Sequence, residues 1–377
     1  MNIISFTFRF YNRDATTAKT SQSLENVSRN ILVAPLNWGL GHAMRCIPII
    51  RELQKNGFCP ILASDGDALE MLRKEFPDLQ RLELPSYEIE YAKNGKNFKW
   101  KMLRNSPKMI EAVLNEKTIV KKWVTEFRLR GIISDNRLGV VSGKVPSVFI
   151  THQLNVLTGS TSWFTGILHR MIIKKFDECW VPDFEAKPNL SGRLGHLKNP
   201  GFRIEYIGPL SRMEKRELPL EYDLMVLLSG PEPQRGMLEE ILKEQIARYE
   251  GKVIFISGKV AAKQLYEKTR NVSYYNFMNS AQLENAINQS KLVLCRSGYT
   301  SIMDLAKLQK KAFFIPTPGQ YEQVYLAGKL KKEGLAPYAE QDRFRIENLF
   351  EVDLYRGLNI AQEDINWKQL FCLFERK

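Results

Sequence analysis

No stretch of this 377-residue chain holds the roughly 18 or more consecutive apolar residues that a membrane-spanning helix needs. The five cysteines, Cys46, Cys59, Cys179, Cys295 and Cys372, contain no C-x-x-C pair and are odd in number, which argues against a disulfide scaffold. Each has apolar neighbours, so all five are expected as reduced core residues of a cytosolic protein. Acidic residues are the scarcer charge: 42 Asp and Glu face 55 Lys and Arg, a net charge of +13. That excess suits an anionic partner such as a nucleotide, a lipid headgroup or nucleic acid, and suits an ordinary basic surface equally well. Residues 1–27 begin with apolar Ile3–Phe10 and then turn polar. They lack the basic start, longer apolar core and small-residue cleavage site of a signal peptide, so a loose N-terminal extension is expected.

What is present is a globular composition, 44% apolar, on a chain long enough for two sizeable cores. The most informative stretch is Lys291–Lys332. Leu292–Cys295 has the length and composition of a buried parallel strand. Arg296, Ser297 and Gly298 follow as a small-residue turn. Thr300 or Ser301 is expected to cap a helix with Ile302, Leu305, Ala306 and Leu308 on one face. Ala312–Ile315 is the next strand, and the loop Pro316–Gln323 lies at its carboxyl end. The turn aims backbone N–H groups of a helix N-terminus at a site suited to a diphosphate. Asp304 lies one to two turns into that helix, within reach of a ribose hydroxyl pair.

The first half repeats the pattern. Ile31–Ala34 is a strand, Gly39-Leu40-Gly41-His42 a glycine turn, and Ala43–Lys55 a helix. Gly39 and Gly41 let the backbone approach a ligand. His42 titrates near neutrality and suits a general base, or else makes a structural hydrogen bond. Strands follow at Phe58–Ala63, Leu82–Pro85, Gly131–Ser134, Ser147–Ile150, Glu178–Val181 and Arg203–Ile207. Asp65-x-Asp67 fits a turn and helix N-cap better than a metal site. Asp135, at the end of a strand, is a base for a hydroxyl or a turn cap. Residues 93–123 hold nine Lys or Arg against two Glu, interleaved with Phe98, Trp100, Met109, Ile110 and Trp123. Such a cluster suits an anionic membrane surface, a solvated helix face or single-stranded nucleic acid; no nucleic acid partner is expected.

In the second half the run Leu224–Leu228 meets Ser229-Gly230 and the helix Gly236–Tyr249. Val253–Ile256 and Val272–Phe277 are strands, Ser280 is expected to cap Ala281–Ser290, Leu335–Tyr338 is a candidate last strand, and Trp367–Phe374 a terminal helix. The segments 291–333, 31–53 and 147–155 together resemble the GT-B glycosyltransferases of the MurG type and the related diacylglycerol galactosyltransferases. The resemblance implies an α/β architecture of two Rossmann-like doubly wound domains facing across a cleft. These are expected at 28–212, on the acceptor side, and at 213–350, on the nucleotide-sugar side, with 351–377 packing back on the first. It implies that Ser297 and Gly298 hold the donor diphosphate, that Asp304 stands where the family has a ribose-binding Glu, and that Gln320 and Gln323 face the donor sugar.

By the same resemblance Gly39 and Gly41 face the diphosphate, Ser229, Gly230 and Arg235 contact phosphate and sugar, Phe277 and Met278 bracket uracil, and Arg296 and Thr300 complete the donor site. Thr151-His152-Gln153-Leu154-Asn155 resembles the family's His-Glu-Gln-Asn segment, with Gln153 in place of the Glu. A Gln amide does not titrate, so a catalytic base falls to His42, Asp135 or His152. The implied reaction is inverting, metal-independent transfer of a sugar from a UDP-sugar to a hydroxyl, with no further cofactor. The acceptor would be a lipid-linked glycan or glycolipid, and the setting the cytoplasm or the inner face of its membrane. A UDP-sugar epimerase and a non-catalytic sugar-nucleotide subunit remain open on the same fold.

Overall fold

The structure is a computed structural model describing residues 28–87, 98–156, 162–230, 232–259, 261–360 and 364–375; in the helices that begin at 98 and 162, side chains are described from 108 and 166 onward. The expected N-terminal extension lies outside the described residues.

The first half builds seven parallel strands: β1 (Asn30–Pro35), β2 (Cys59–Ser64), β3 (Arg81–Glu83), β4 (Leu129–Asp135), β5 (Ser147–Ile150), β6 (Glu178–Val181) and β7 (Ile204–Tyr206), in the order β3-β2-β1-β4-β5-β6-β7. Its helices are α1 (Gly41–Lys55), α2 (Gly66–Glu75), α3 (Phe98–Glu126) and α4 (Ser162–Ile173). The second half has β8 (Tyr222–Leu227), β9 (Val253–Ile256), β10 (Tyr266–Thr269), β11 (Val272–Tyr275), β12 (Ser290–Cys295) and β13 (Lys311–Phe314), in the order β10-β11-β9-β8-β12-β13. Around it lie α5 (Gln234–Ile246), α6 (Ser280–Asn288), α7 (Tyr299–Lys307) and α8 (Tyr321–Lys332), and α9 (Trp367–Phe371) follows. The central strands read as unbroken apolar runs because helices cover both faces of each sheet, leaving no side for polar residues. All pairs are parallel except β10 with β11.

In both sheets strand order reverses beside the first strand of the half, between β1 and β4 and between β8 and β12. The crevice at such a reversal, outside the carboxyl ends of the strands, is where open α/β sheets bind ligands. At those ends stand His42, in the first turn of α1, and Asp135, the last residue of β4, in one half, and the loop residues Ser229–Gly230 and Arg296–Gly298 in the other. The halves are joined by one apolar cluster that runs through α1 (Ile47, Ile50) and α7 (Ile302, Leu305). The chain's last turns lie on the first sheet: Phe371 and Phe374 meet Phe58 edge-on at 5.8 and 6.3 Å, and Arg130 Nε donates to the Phe374 carbonyl at 2.8 Å.

Several local expectations need correction. Gly298, not Thr300 or Ser301, occupies the N-cap of α7, because its extended backbone (φ −70°, ψ 142°) precedes the first helical residue. Asn279, not Ser280, caps α6 in a reciprocal pair with Gln282. Leu335–Tyr338 forms no strand; it touches the sheet through a single bridge, Phe314 to Tyr338. Cys59 and Cys372 are exposed, whereas Cys46, Cys179 and Cys295 are buried. Asp65 takes the N-cap position of α2, but its carboxylate turns to Arg137 and Asn37 instead of the helix. The edge strand β10 escapes notice in sequence because all four of its residues are exposed and none belongs to an apolar run.

Candidate active site

The loop after β1 brings α1 into the crevice N-terminus first. His42 is in its first turn and Arg45 is three residues on, one face of one helix. Asp135 ends β4, directly across the strand-order reversal, and is fully buried. Arg45 is only 2% exposed and reaches it with two nitrogens: Nε donates to Asp135 Oδ2 at 2.5 Å and a terminal nitrogen donates to Oδ1. His42 Nδ1 lies 2.9 Å from Asp135 Oδ1.

The other terminal nitrogen of Arg45 is 3.1 Å from His152 Nδ1. His152 Nε2 is 2.7 Å from Glu322 Oε1 on α8, in the opposite half, and Gln153 Nε2 donates to the second oxygen of the same carboxylate. The ring of His152 stacks on Tyr299, the first residue of α7, at 4.1 Å and 6°. Tyr299 is buried and its hydroxyl donates to the Pro182 carbonyl at 2.8 Å. Five polar side chains thus form one chain across the crevice: His42, Asp135, Arg45, His152 and Glu322.

Burial would raise the Asp135 carboxyl, but the Arg45 guanidinium, with His42, holds it well below the usual carboxylate range. Burial lowers His42, the Arg45 charge lowers it further, and together they outweigh Asp135, so the ring is held neutral below its ordinary value of 6.5. Glu322 is also below its ordinary value: burial pushes it up, but His152 and then Arg45 outweigh burial.

This arrangement separates the three candidate bases. His152 has both ring nitrogens engaged, which corrects its expected role as a base and makes it a bridge between halves. Asp135 is too firmly ionised and too fully bonded to take a proton. His42 keeps 14% side-chain exposure, and its Nε2 has no partner among the described residues.

On the donor side, the expected side chains are turned elsewhere while the backbone is left open. A Cβ added at Gly39, Gly230 or Gly298 would meet nothing within 4 Å. Gly39 and Gly230 need their glycine freedom, with φ +69° and +94°. Gly41 approaches α7 so closely that a Cβ there would lie 2.8 Å from Thr300 Oγ1, and that hydroxyl donates to the Gly41 carbonyl at 3.3 Å. The N-termini of α1 and α7 therefore meet at one point, and their unpaired N–H groups share one crevice. Ser229 is exposed beside Gly230.

Arg235 does not point at a phosphate position. It is buried, donates to the Ser257 carbonyl at 2.8 Å and pairs with Glu232 and Glu239. Arg296 is 1% exposed and ties the Ile315, Pro316 and Gln234 carbonyls and Gln341 together. Ser297 Oγ is spent on the Gln323 carbonyl at 2.9 Å. Gln323 accepts from Thr317 N at 2.8 Å and donates to Gln320 at 2.6 Å, so this amide pair shapes the loop and its neighbour Glu322 faces the crevice instead.

Asp304 accepts from Ser211 Oγ at 2.6 Å and is buried, and desolvation raises its carboxyl to about 6 despite Ser211 and Arg212. It braces the segment joining the halves and is not free for a ribose. Phe277 and Met278 are half-buried in the turn before α6; Met278 packs on the core, and the Phe277 carbonyl accepts from Gln264 at 2.7 Å. In each case burial decides: a guanidinium or carboxyl under a loop must satisfy the nearest backbone groups. Arg45 and Glu322 were absent from the candidates drawn from sequence. The available signal was an Arg amid the apolar residues of α1, one turn after His42.

Residues 235–361 match the glycosyltransferase family 28 C-terminal domain. An N-acetylglucosamine transferase of Haemophilus ducreyi, named as acting from UDP-N-acetylglucosamine on N-acetylmuramyl-(pentapeptide) pyrophosphoryl-undecaprenol, is 25% identical over 86% of this chain and 89% of its own. An uncharacterized glycosyltransferase of Methanopyrus kandleri is 19% identical over 84% and 92%. Among solved structures, MurG of Acinetobacter baumannii superposes with a TM-score of 0.55 at 13% identity, covering 92% of this chain and 99% of its own. The glycosyltransferase SnogD of Streptomyces nogalater superposes with a TM-score of 0.59 at 12% identity, covering 92% and 100%.

Proposed function

We propose that this chain, a glycosyltransferase of the GT-B fold with a family 28 C-terminal domain, moves a sugar from a UDP-sugar to the hydroxyl of a lipid-linked acceptor. N-acetylglucosamine is the first sugar to test, because the relative in Haemophilus ducreyi is named for it. The observation that carries the reading is the placement of His42. Its Nδ1 is held by Asp135, its Nε2 has no partner among the described residues, and His42 directly follows Gly41, which meets Thr300 of the other half.

With Nδ1–H donated to Asp135, Nε2 is the proton acceptor for the attacking hydroxyl. The oxygen attacks the anomeric carbon as the bond to UDP breaks, giving inversion in a single displacement. The diphosphate rests on the N–H groups of α7 around Gly298, which offset its growing charge. One helix terminus contributes about 0.3–1 kcal/mol, up to ~2 when partly buried, so the meeting of two termini is needed. The sugar nucleotide is a substrate, and no further cofactor enters the reading.

A thermal-shift panel of nucleotide sugars tests the donor half of the reading. UDP and UDP-N-acetylglucosamine should raise the melting temperature of the wild type. Gly298→Ala should melt at the wild-type temperature without ligand, since its Cβ meets nothing, and should lose most of the UDP-dependent shift. An equal shift in the variant would remove the diphosphate from α7. UDP release that needs no acceptor would remove the transfer reaction.

A lipid-linked acceptor must be met at a surface, since no helix among the described residues is long and apolar enough to cross a membrane. On α3, Ile110 and Leu114 are 60% and 57% exposed one turn apart, with Lys108, Lys121 and Lys122 exposed on the same helix. Trp123, grouped with them in sequence, packs on the core beside Phe127 and is half-buried; residues 93–97 and the side chains of 98–107 lie outside the described residues. The reading sets the chain in the cytoplasm, resting on the inner face of the membrane through this stripe. Anionic liposomes should capture the wild type at low salt, and Ile110→Glu with Leu114→Glu should weaken capture at least ~10-fold. Undiminished capture would move the contact elsewhere.

A further inference from the structure

The buried guanidinium of Arg45 has more partners than a core ion pair needs, and they belong to different parts of the site. Two of its nitrogens bind the carboxylate that holds His42, and its third meets the ring of His152. We propose that Arg45 is the positioning residue of this active site. Through one planar fork it sets which nitrogen of His152 carries the proton and keeps His42 in the neutral form that can accept one. The proposal deepens the reading of His42 as base and rests on it.

Donors and acceptors set the tautomer of His152. A guanidinium has five N–H groups and no lone pair to accept with. The nitrogen it meets at 3.1 Å must therefore be the acceptor, which leaves Nδ1 of His152 bare and the proton on Nε2. That proton is then donated to Glu322 Oε1 at 2.7 Å. The opposite tautomer would set two donors against each other at Nδ1 and two acceptors against each other at Nε2. Arg45 thus decides from inside the first half what the carboxylate of the second half receives.

Charge sets the protonation of His42. Its Nδ1 lies 2.9 Å from an acceptor, Asp135 Oδ1, and 2.8 Å from a terminal nitrogen of Arg45 that already donates to that same Oδ1, so Nδ1 keeps its proton for the carboxylate, unlike Nδ1 of His152. Asp135 alone would draw a second proton onto the ring and spoil it as a base. A cation at the same distance opposes that protonation while holding the carboxylate in place. Arg45, Cys46, Asp135, His152 and Glu322 are the titratable or charged groups around His42 from α1, β4, the segment after β5 and α8. Among them Arg45 and Asp135 are in direct contact with its ring. A lysine could supply the charge but not the fork, because its ammonium is a single point that cannot hold Asp135 side-on and reach His152 as well.

The four histidines, His42, His152, His169 and His196, allow a direct test by nitrogen NMR of the full chain labelled at histidine, with His→Gln variants for assignment. The wild type should show His152 bare at Nδ1 and protonated at Nε2, and His42 neutral at neutral pH. In Arg45→Met the midpoint of His42 should rise by about one unit or more, and His152 should lose its single tautomer. Arg45→Lys should hold the His42 midpoint near the wild-type value and still release the His152 tautomer. A purely structural role would leave both rings as they were in any folded variant, and that result overturns the proposal.

If Arg45→Met does not fold, the pair Arg45→Met with Asp135→Asn removes both buried charges and is read in the same way for His152. A wild-type spectrum with the proton of His152 on Nδ1 overturns the proposal without any variant. Turnover of His42→Gln is scored apart: full activity there ends the base assignment, while the ring measurements still decide the place of Arg45.

Discussion

Exchanging His42 for Gln should lower turnover by about 10²–10⁴-fold while leaving the KM for the sugar nucleotide within a few-fold of wild type. The split follows from position. His42 sits in the first turn of α1 against Asp135, and the expected donor contacts belong to α7 and the Gly230 loop. A Gln amide can still donate to Asp135, so the buried carboxylate keeps a partner and the fold survives, but the amide cannot take a proton. The pH profile gives a second check. Burial and the Arg45 charge hold His42 below its ordinary 6.5, and the neutral ring is the active form. Turnover should therefore be full at neutral pH and fall as pH drops through a midpoint below 6.5. A profile whose acidic limb lies above that value, or a Gln variant with near-wild-type turnover, would take the proton from some other group.

Much of the frame was legible because buried parallel strands announce themselves. Leu292–Cys295 and Ile31–Ala34 are apolar on both faces and sit between turn residues, so strand, turn and helix could be placed from one sequence. The edge was not legible: Tyr266–Thr269 pairs through its backbone and exposes every side chain, leaving no pattern to find.

The site divided in the same way. Glycines were readable, since a turn that brings backbone to a ligand needs them whatever lies around it. Charged side chains were not, because sequence shows that a guanidinium is near a loop and not where it points. Arg235 and Arg296 were expected at the donor, and both are buried and bonded to backbone carbonyls instead. Arg45 and Glu322 went unnoticed for the converse reason. Their partners, Asp135 and His152, are 90 to 170 residues away, a separation that no local spacing reports.

The largest expected loss of stability comes from Arg137→Met, about 3–5 kcal/mol. Arg137 is fully buried, as is Glu116, whose Oε1 accepts from it at 2.7 Å. The nitrogen that donates to Glu116 also donates to the Pro85 carbonyl, Nε donates to the Pro35 carbonyl, each at 3.1 Å, and the remaining nitrogen donates to Asp65. Methionine fills much of the volume but leaves two carboxylates, Asp65 and Glu116, without their cation. Glu116 can relieve this only by taking a proton: burial already raises its carboxyl, and Arg137 is the strongest opposing influence. A loss of that size is a large part of the ~5–15 kcal/mol that holds a folded protein together.

The loss should reach the active site as well. Asp65 holds Asn37 at 3.1 Å in the loop that leads to Gly39, and Arg137 grips the Pro35 carbonyl at the end of β1. Denaturant midpoints measure the loss, and a second variant separates charge from packing. Arg137→Met combined with Glu116→Leu and Asp65→Asn removes the stranded charges and should regain much of it, because apolar replacement of a whole buried ionic group is often near neutral. If Arg137→Met alone falls short by less than about 1 kcal/mol, the network is not what holds β1, β4 and α3 in register, and the floor beneath His42 must be set by the apolar contacts of Leu32, Ala34 and Val120 instead.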